Sequence, residues 1–371
     1  MFAFPIARLV YEVVEMTNLA TYVVWRLLLF VFVLFGVTIV VFAITMMLPM
    51  DTRALLYVTG RIGIPDAIQN IIQKYGLKDP FYLQYWHWLF RLLHGNLGWS
   101  ITANQPVATS IAARWPYTFE IVLFAAPLII FAGIYLGVQS AIHENGLIGK
   151  GSRLLSIIGW SLPSFFLGML LLAVFAGILH WFPYGGSLSI SWVKYTSDPQ
   201  NHFIRYTRID LFDGLLNGVP ALSLNVLWHC VLPVATVVVI DVALLIRVVR
   251  SSMLETLSKP YLTMARAKGL SDKVVIYKHA RRNALIPILS LSGMLVAGLL
   301  IGLIITETVF GFGGLGEQLA RAIRNLDIPF IMGFTVLSAF VIVLANFIAD
   351  ITSACIDPRI RRGSERERRR L

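Results

Sequence analysis

The chain has 371 residues, 57% hydrophobic and 14% charged, with a net charge of +11 and a mean hydropathy of +0.74. Soluble domains carry about 25% charged residues, so much of this surface faces lipid rather than water, and a wholly soluble protein is excluded. The positive charge does not indicate nucleic acid: the basic residues gather at 247–282 and after Asp357, with no soluble basic platform interleaved with aromatics.

At the N-terminus, Phe2, Phe4, Ile6, Leu9, Val10 and Val13 are interspersed with Arg8, Glu12 and Glu15. This pattern predicts a short amphipathic helix at a membrane interface, or equally a disordered lead, over 1–21. Six apolar runs follow, at 27–48, 121–142, 154–179, 226–246, 286–306 and 328–349. Each approaches or exceeds the roughly 20 residues that a helix needs to cross the hydrocarbon core. The first run does not end in a small-residue cleavage site, so it reads as a retained helix, not a cleaved signal. The fourth contains Asp241, and the fifth opens beside Pro287. Cys230 and Cys355 sit in apolar surroundings and read as small buried hydrophobes, because two isolated thiols make neither a disulfide framework nor a metal site. The expected fold is an all-α integral membrane protein with six transmembrane helices over 22–355 and a basic tail over 356–371.

The connections differ in character. Long loops are expected at 49–116 and 180–225, short ones at 143–153 and 307–327, and a basic one at 247–285. Lys and Arg concentrate on the cytoplasmic side of short loops near spans. The 247–285 loop carries nine of them and the tail seven, against two (Arg321 and Arg324) in 307–327. Both termini and the 247–285 loop are therefore expected in the cytoplasm, as an even helix count requires.

Within the basic loop, 261–268 is a run of helix formers after Pro260, and Gly269 is placed to end it in a left-handed turn. Leu270 is expected to pack back on the last turn, and Ser271 to cap a second helix with Asp272 in its first turn. Lys278, Arg281 and Arg282 would share one side of that second helix, and Pro287 marks its junction with the fifth span. This predicts a rigid helix–turn–helix knob. Docking a partner and setting topology both remain open as its role.

Among single residues, Asp241 is the sharpest candidate, because an acid inside a span is expensive and marks a pathway or gate. The alternative is a structural pair with Arg247. Glu307, at the end of the fifth span, is a second candidate for pathway or gating. His229 and Glu120 lie near span ends and read as interfacial. Gly311 to Gly316 fits G-x-G-x-x-G, but a membrane helix rather than a strand precedes it, so a glycine turn is expected there. No G-x-x-x-x-G-K-[ST] occurs, and the stretch from Gly146 to Ser152 that comes nearest fails. No catalytic, cofactor-binding or metal-ligating set is read, and any ATP and magnesium would be bound by other subunits.

The stretches Arg250 to Leu257, Tyr261 to Ser271 and His279 to Pro287 resemble the cytoplasmic coupling loop of ABC-transporter permeases, most closely the first-permease type of the dipeptide/oligopeptide/nickel subfamily. Tyr75 to Trp86, Gly95 to Ser100, Trp160 to Gly168, Glu307 to Phe310, Gly314 to Gly316 and Asp357 to Ile360 resemble further segments of that subfamily. The sequence departs from the sugar-type motif in the position of the glycine. It departs from its own subfamily in the long lead and in Asn96, where an acid is common.

The resemblance implies a type I importer permease fold, with a long outer loop after the first helix and a coupling loop at 247–286. It implies that Ala265, Arg266, Ala267, Lys268, Gly269 and Leu270 dock in a groove of an ATPase subunit. It further implies a second, similar permease as heterodimer partner, two ATPase subunits, an extracytoplasmic substrate-binding protein and a non-catalytic role in the cell membrane. Di- or oligopeptides are the expected cargo, with oligosaccharides and nickel as alternatives. A secondary transporter is the competing class, but such carriers are commonly built from internal repeats, and none is recognised here. A membrane enzyme would need clustered acids or histidines at one depth, and the spans lack them.

Overall fold

A computed structural model describes residues 19–57 and 67–356. Residues 1–18 of the expected N-terminal lead and 357–371 of the basic tail lie outside the described residues, while 19–21 and 356 belong to the first and last long helices.

Among the described residues four helices are long and apolar enough to cross a membrane unbroken. They are α1 (Leu19–Thr45), α5 (Val107–Ile142), α10 (Pro220–Leu257) and α17 (Ile328–Ile356). Two bent pairs bring the crossings to as many as six. The first pair joins α6 (Leu147–Ser161) to α7 (Ser164–Leu171) and the π-helical segment Leu172–Ile178. The second joins α14 (Ile286–Gly302) to α15 (Ile304–Phe310).

The third crossing differs from the expected uninterrupted 154–179. The helix starts at Leu147, then turns by 105° between Ser161 and Ser164. Pro163 lacks the N–H that would continue the ladder and pushes the residue before it out of helical geometry. Leu162 accordingly has φ −85° and ψ 127°. The second and fourth helices also overrun their expected ends. The α10 helix has 38 residues, which is about 57 Å of rod against about 30 Å of hydrocarbon. It carries Arg247 and Arg250 on its last turns, where a loop was expected.

Helices α5 and α10 form the centre of the molecule. Ile121, Ala125 and Ile129 pack with Val226, Leu245, Ile246 and Val249 in one buried cluster. The approach is close because α5 presents glycines four apart. A Cβ on Gly133 would come 2.6 Å from Leu245 Cδ2, and one on Gly137 2.6 Å from Val249 Cβ. Small residues at this spacing let membrane helices meet backbone to side chain, where apolar burial alone gives no drive for association. Gly159 does the same for α6, where a Cβ would lie 2.8 Å from Val239 O.

The 49–116 connection is folded rather than loose. It contains α2 (Met50–Ala54), α3 (Ala67–Lys74), α4 (Phe81–Leu93) and a hairpin of β1 (Trp99–Ser100) with β2 (Gln105–Pro106). Trp99 pairs with Pro106 and Ser100 with Gln105. Helix α4 lies against α1 through Phe42, which meets Trp88 at 5.3 Å between ring centroids. The Thr38 hydroxyl and Tyr85 phenol share a 2.8 Å hydrogen bond across the same contact. The 180–225 connection holds α8 (Ile190–Ser197) and α9 (Asp210–Leu216). The opposite face carries α11 (Pro260–Ala267), α12 (Asp272–Val274), a π-helical segment Val275–Ala280 and α13 (Arg281–Ala284). Helix α16 (Leu315–Arg324) returns to the hairpin face before α17.

Candidate functional site

The knob on the basic face is built by local chemistry. Pro260 occupies the first turn of α11, where its missing N–H costs nothing. Gly269 sits at φ +80°. Its N–H donates to Arg266 O at 2.9 Å, and the Leu270 N–H donates to Ala265 O at 3.3 Å. These are the two bonds of a Schellman end. Two details differ from expectation. Leu270 is exposed rather than packed back on the helix. Ser271 holds the N-cap position, but its hydroxyl makes no cap bond. The turn is closed instead by Arg266 Nε, 3.2 Å from Asp272 Oδ1, a reach-across that the backbone bonds already bring within range.

The knob has a buried root and an exposed crown. Leu262, Val275 and Ala280 are fully buried in the central cluster. Asn283 Nδ2 donates to the Tyr261 phenol at 2.9 Å, and Ser252 Oγ donates to Ala284 O at 2.8 Å. The crown presents Tyr261, Met264 and Leu270 as exposed apolar groups, with Arg266, Ala267 and Lys268 exposed among them and Ala265 half-buried. Lys278, Arg281 and Arg282 are all exposed, though a π-helical stretch replaces the regular helix expected there.

Asp241 lies half-way along α10, on the wall of a cavity of about 390 Å³ between α7, α10 and the bent pair α14–α15. Among the described residues its carboxylate has no hydrogen-bond or ion-pair partner. Arg247, the expected structural counter-ion, is engaged elsewhere. Its guanidinium lies 5.4 Å from the centre of the Trp160 ring, and its Nη2 is 3.5 Å from Ser156 O.

Glu307 is fully buried and does not face that cavity. Its Oε1 accepts from the Thr118 hydroxyl at 2.6 Å, and its Oε2 accepts from the Glu317 N–H at 3.0 Å. Thr118 in turn accepts from the Leu315 N–H at 2.9 Å. Leu315 and Glu317 are in the first turn of α16, whose own N-cap is Gly314 and offers no side chain. Two residues of the spans thus satisfy donors that a helix start leaves unpaired. Arg114 of α5 adds a 3.0 Å bond from Nη1 to Gly313 O. The glycine-rich 311–316 stretch is a turn and helix start, with Gly311 at φ +56° and Gly313 at φ +82°.

Glu120 and His229 are buried inside the protein, not interfacial as their positions near span ends suggest. The 180–225 segment folds over both. Glu120 Oε1 accepts from the Leu211 N–H at 3.1 Å, in the first turn of α9. His229 Nδ1 is 2.9 Å from Gly186 O, and its Nε2 is 3.0 Å from Ser189 Oγ. Beside Glu120, burial pushes the Asp210 carboxyl above the usual carboxylate range, while Arg205 at 3.0 Å pulls it back down. Replacing Arg205 with Gln should push Asp210 further above its unfolded value of about 3.9. The loss of stability should then be largest at high pH and relieved as pH falls through the raised value, because the folded state binds the extra proton. Thermal unfolding of Arg205→Gln across pH checks this; equal destabilisation at all pH values would contradict it.

Asp327 also escaped the sequence reading. Its Oδ2 accepts from the Ser100 hydroxyl at 2.6 Å and from the Thr102 N–H at 2.9 Å, while Oδ1 accepts from the Phe330 N–H at 3.3 Å. It thereby ties the hairpin to the start of α17. Its bond to Phe330, three residues on, is a helix-start pattern that the sequence offers, but nothing local marks its tie to the hairpin, whose partners lie 227 and 225 positions away.

Comparison with known proteins agrees with this architecture. The family described as "Binding-protein-dependent transport system inner membrane component" matches residues 129–362, and its N-terminal counterpart matches residues 19–122. A probable D,D-dipeptide transport system permease protein of Escherichia coli is 37% identical over 91% of this chain and 96% of its own length. The oligopeptide transport system permease protein AppB of Bacillus subtilis is 34% identical over 92% of this chain and 99% of its own. The di/tripeptide transport system permease protein DppB of Pseudomonas aeruginosa is 34% identical over 92% and 98%. Matches that run nearly end to end, over helices that cross the membrane in up to six passes, make the chain a member of the family of inner-membrane components of binding-protein-dependent transport systems, a multi-pass permease subunit with the type I ABC importer permease fold.

Proposed function

We propose that this chain is one of two permease subunits of an ATP-driven importer for di- or oligopeptides. The observation that carries the reading is the knob: an exposed apolar and basic crown on a root buried among α5 and α10. A gradient-driven carrier has no use for a rigid projection of this kind. An importer whose ATP is hydrolysed by separate subunits requires one. The peptide assignment rests on the cargo named for the relatives and stands against oligosaccharides and nickel.

In this reading Ala265 to Leu270 sit in a groove of an ATPase subunit, and Arg266 and Lys268 form charge-assisted bonds there. ATP and magnesium belong to the two ATPase subunits. The second permease completes the pathway, and a substrate-binding protein docks on the face that carries the hairpin, α9 and α16. The basic face and both termini are cytoplasmic. A thiol reagent that cannot cross the membrane should therefore label Ser271→Cys only from the cytoplasmic side and Ser197→Cys only from outside; the reverse would overturn the orientation.

The test of function is reconstitution of the chain with its partner permease, ATPases and binding protein in vesicles. Uptake of di- and tripeptides that needs ATP supports the reading. Uptake of nickel or oligosaccharide with peptides inert overturns the cargo. Uptake driven by an ion gradient without ATP overturns the class.

A further inference from the structure

The cavity beside Asp241 is unlike the rest of the membrane interior. Its lining is apolar along Leu291, Met294, Leu295 and Leu299. Among the described residues three polar side chains interrupt it, Asp241 and the hydroxyl residues Ser164 and Thr306, and no basic residue or aromatic ring lines it. The result is a greasy chamber holding one carboxylate with no counter-charge.

A carboxylate in a membrane interior is costly and is met, where it occurs, by an opposite charge or by water. Among the described residues none supplies a cation, so the complement is water or a cationic guest. The volume of about 390 Å³ falls in the range of small-molecule sites, roughly 300–1,000 Å³. The chemistry narrows the guest. A divalent metal ion takes several oxygen or nitrogen ligands, and among the described residues no group of three His, Cys, Asp or Glu could hold one. A neutral sugar would leave the charge unmet and finds no aromatic face to stack on. A primary ammonium next to an apolar side chain satisfies both the carboxylate and the greasy walls.

We propose that this chamber is a transient binding site for the α-ammonium end of the transported peptide, with Asp241 as its counter-ion and the Leu291–Leu299 wall as its side-chain contact. The inference rests on the peptide-importer reading and adds the part of the substrate that this subunit recognises. Ser164 and Thr306 are available to accept the remaining ammonium hydrogens.

The test is made without the binding protein, so that its own selectivity does not enter. Gly298 lines the chamber, and no atom lies within 4 Å of a Cβ added there. In a background with Cys230→Ala and Cys355→Ala that still transports, Gly298→Cys is placed in the assembly of two permeases and two ATPases in nanodiscs. Its reaction with N-ethylmaleimide is then timed. Leucinamide, an ammonium with an apolar side chain and no carboxylate, should slow labelling by about tenfold relative to N-acetyl-leucinamide, the scale expected when one charge pair is lost. Asp241→Asn should abolish that difference and Asp241→Glu should retain it. If Gly298→Cys impairs assembly, Ile240→Cys reports on the same chamber.

Equal protection by the two amides, protection that survives Asp241→Asn, or no protection by leucinamide at saturation would each overturn the proposal. If Asp241→Asn shifts only the pH profile of transport and not the amide preference, Asp241 is a proton site and the proposal fails. Failure of the importer reading shows up separately, as loss of ATP-driven peptide uptake by the unmodified assembly.

Discussion

Gly269→Val is expected to leave the chain inserted and assembled yet abolish most peptide uptake, with ATP hydrolysis weak or indifferent to substrate. The reason is geometric. Gly269 holds φ +80°, a region that costs an L-residue about 1–2 kcal/mol, and most for a β-branched one. Steric room is not the issue, since no atom lies within 4 Å of a Cβ at that position. The strain is relieved by rotating the backbone, which breaks the bonds to Arg266 O and Ala265 O and changes the angle between α11 and the following helix. A lever transmits a bias only if it has one shape. Gly146, on the same face, has φ −76° and only ordinary contacts at 3.4–3.5 Å to His143. Gly146→Val should therefore do far less. Transport and ATPase activity of both variants in vesicles decide the matter, and normal coupling in Gly269→Val would remove the knob as the transmitting element.

The second large effect is expected from Gly137→Leu. The new side chain would start 2.6 Å from Val249 Cβ and 3.2 Å from Ile246 O, against a neighbour fully buried on α10. Backbone must move, because the obstructing atoms are not the ends of flexible chains. Overpacking of this kind costs about 1–3 kcal/mol in typical cores, and here it separates the two helices around which the others pack. Detergent-solubilised Gly137→Leu should unfold at clearly lower temperature and accumulate poorly. Gly36→Leu, on a lipid-facing helix with nothing within 4 Å, should behave as the parent does. Equal stability of all three proteins would show that the α5–α10 approach is not close-packed as described.

The parts of the molecule that follow from neighbouring residues were legible from the sequence. Pro260 and Gly269 bracket the knob helix, and the unbroken apolar runs locate the crossings. Where the reading stopped short, it stopped at charges. Glu120 and Arg247 ended the apolar runs, yet α5 and α10 continue through them: the folded 180–225 segment supplies Glu120 with the Leu211 N–H, and Arg247 sits exposed where the helix leaves the bilayer and charge is welcome. The 105° bend at Leu162–Pro163 was visible as a proline but could not be told from the tolerated Pro127 and Pro233. The glycines at 133 and 137 were also in plain sight at the spacing that small-residue packing uses. The buried carboxylates were a different problem. Glu120 is satisfied by a group 91 positions away, and Glu307 by one 189 positions away, so neither residue's surroundings in sequence announce its task.

That last arrangement bears on how such proteins can be recombined. Helices α9 and α16 begin without a capping side chain of their own, and borrow one from α5 or α15 instead. A segment that carries α9 into a relative must find an acceptor at the place of Glu120, or leave its first amides dry and unbonded. Grafts cut at the visible loop boundaries should therefore fail more often than grafts that move residues 114–121 together with 205–216. The natural unit of exchange on this face is a spatial patch of discontinuous chain. Substitutions at Thr118, Glu120 and Glu307 should accordingly change in step with the helix starts they hold.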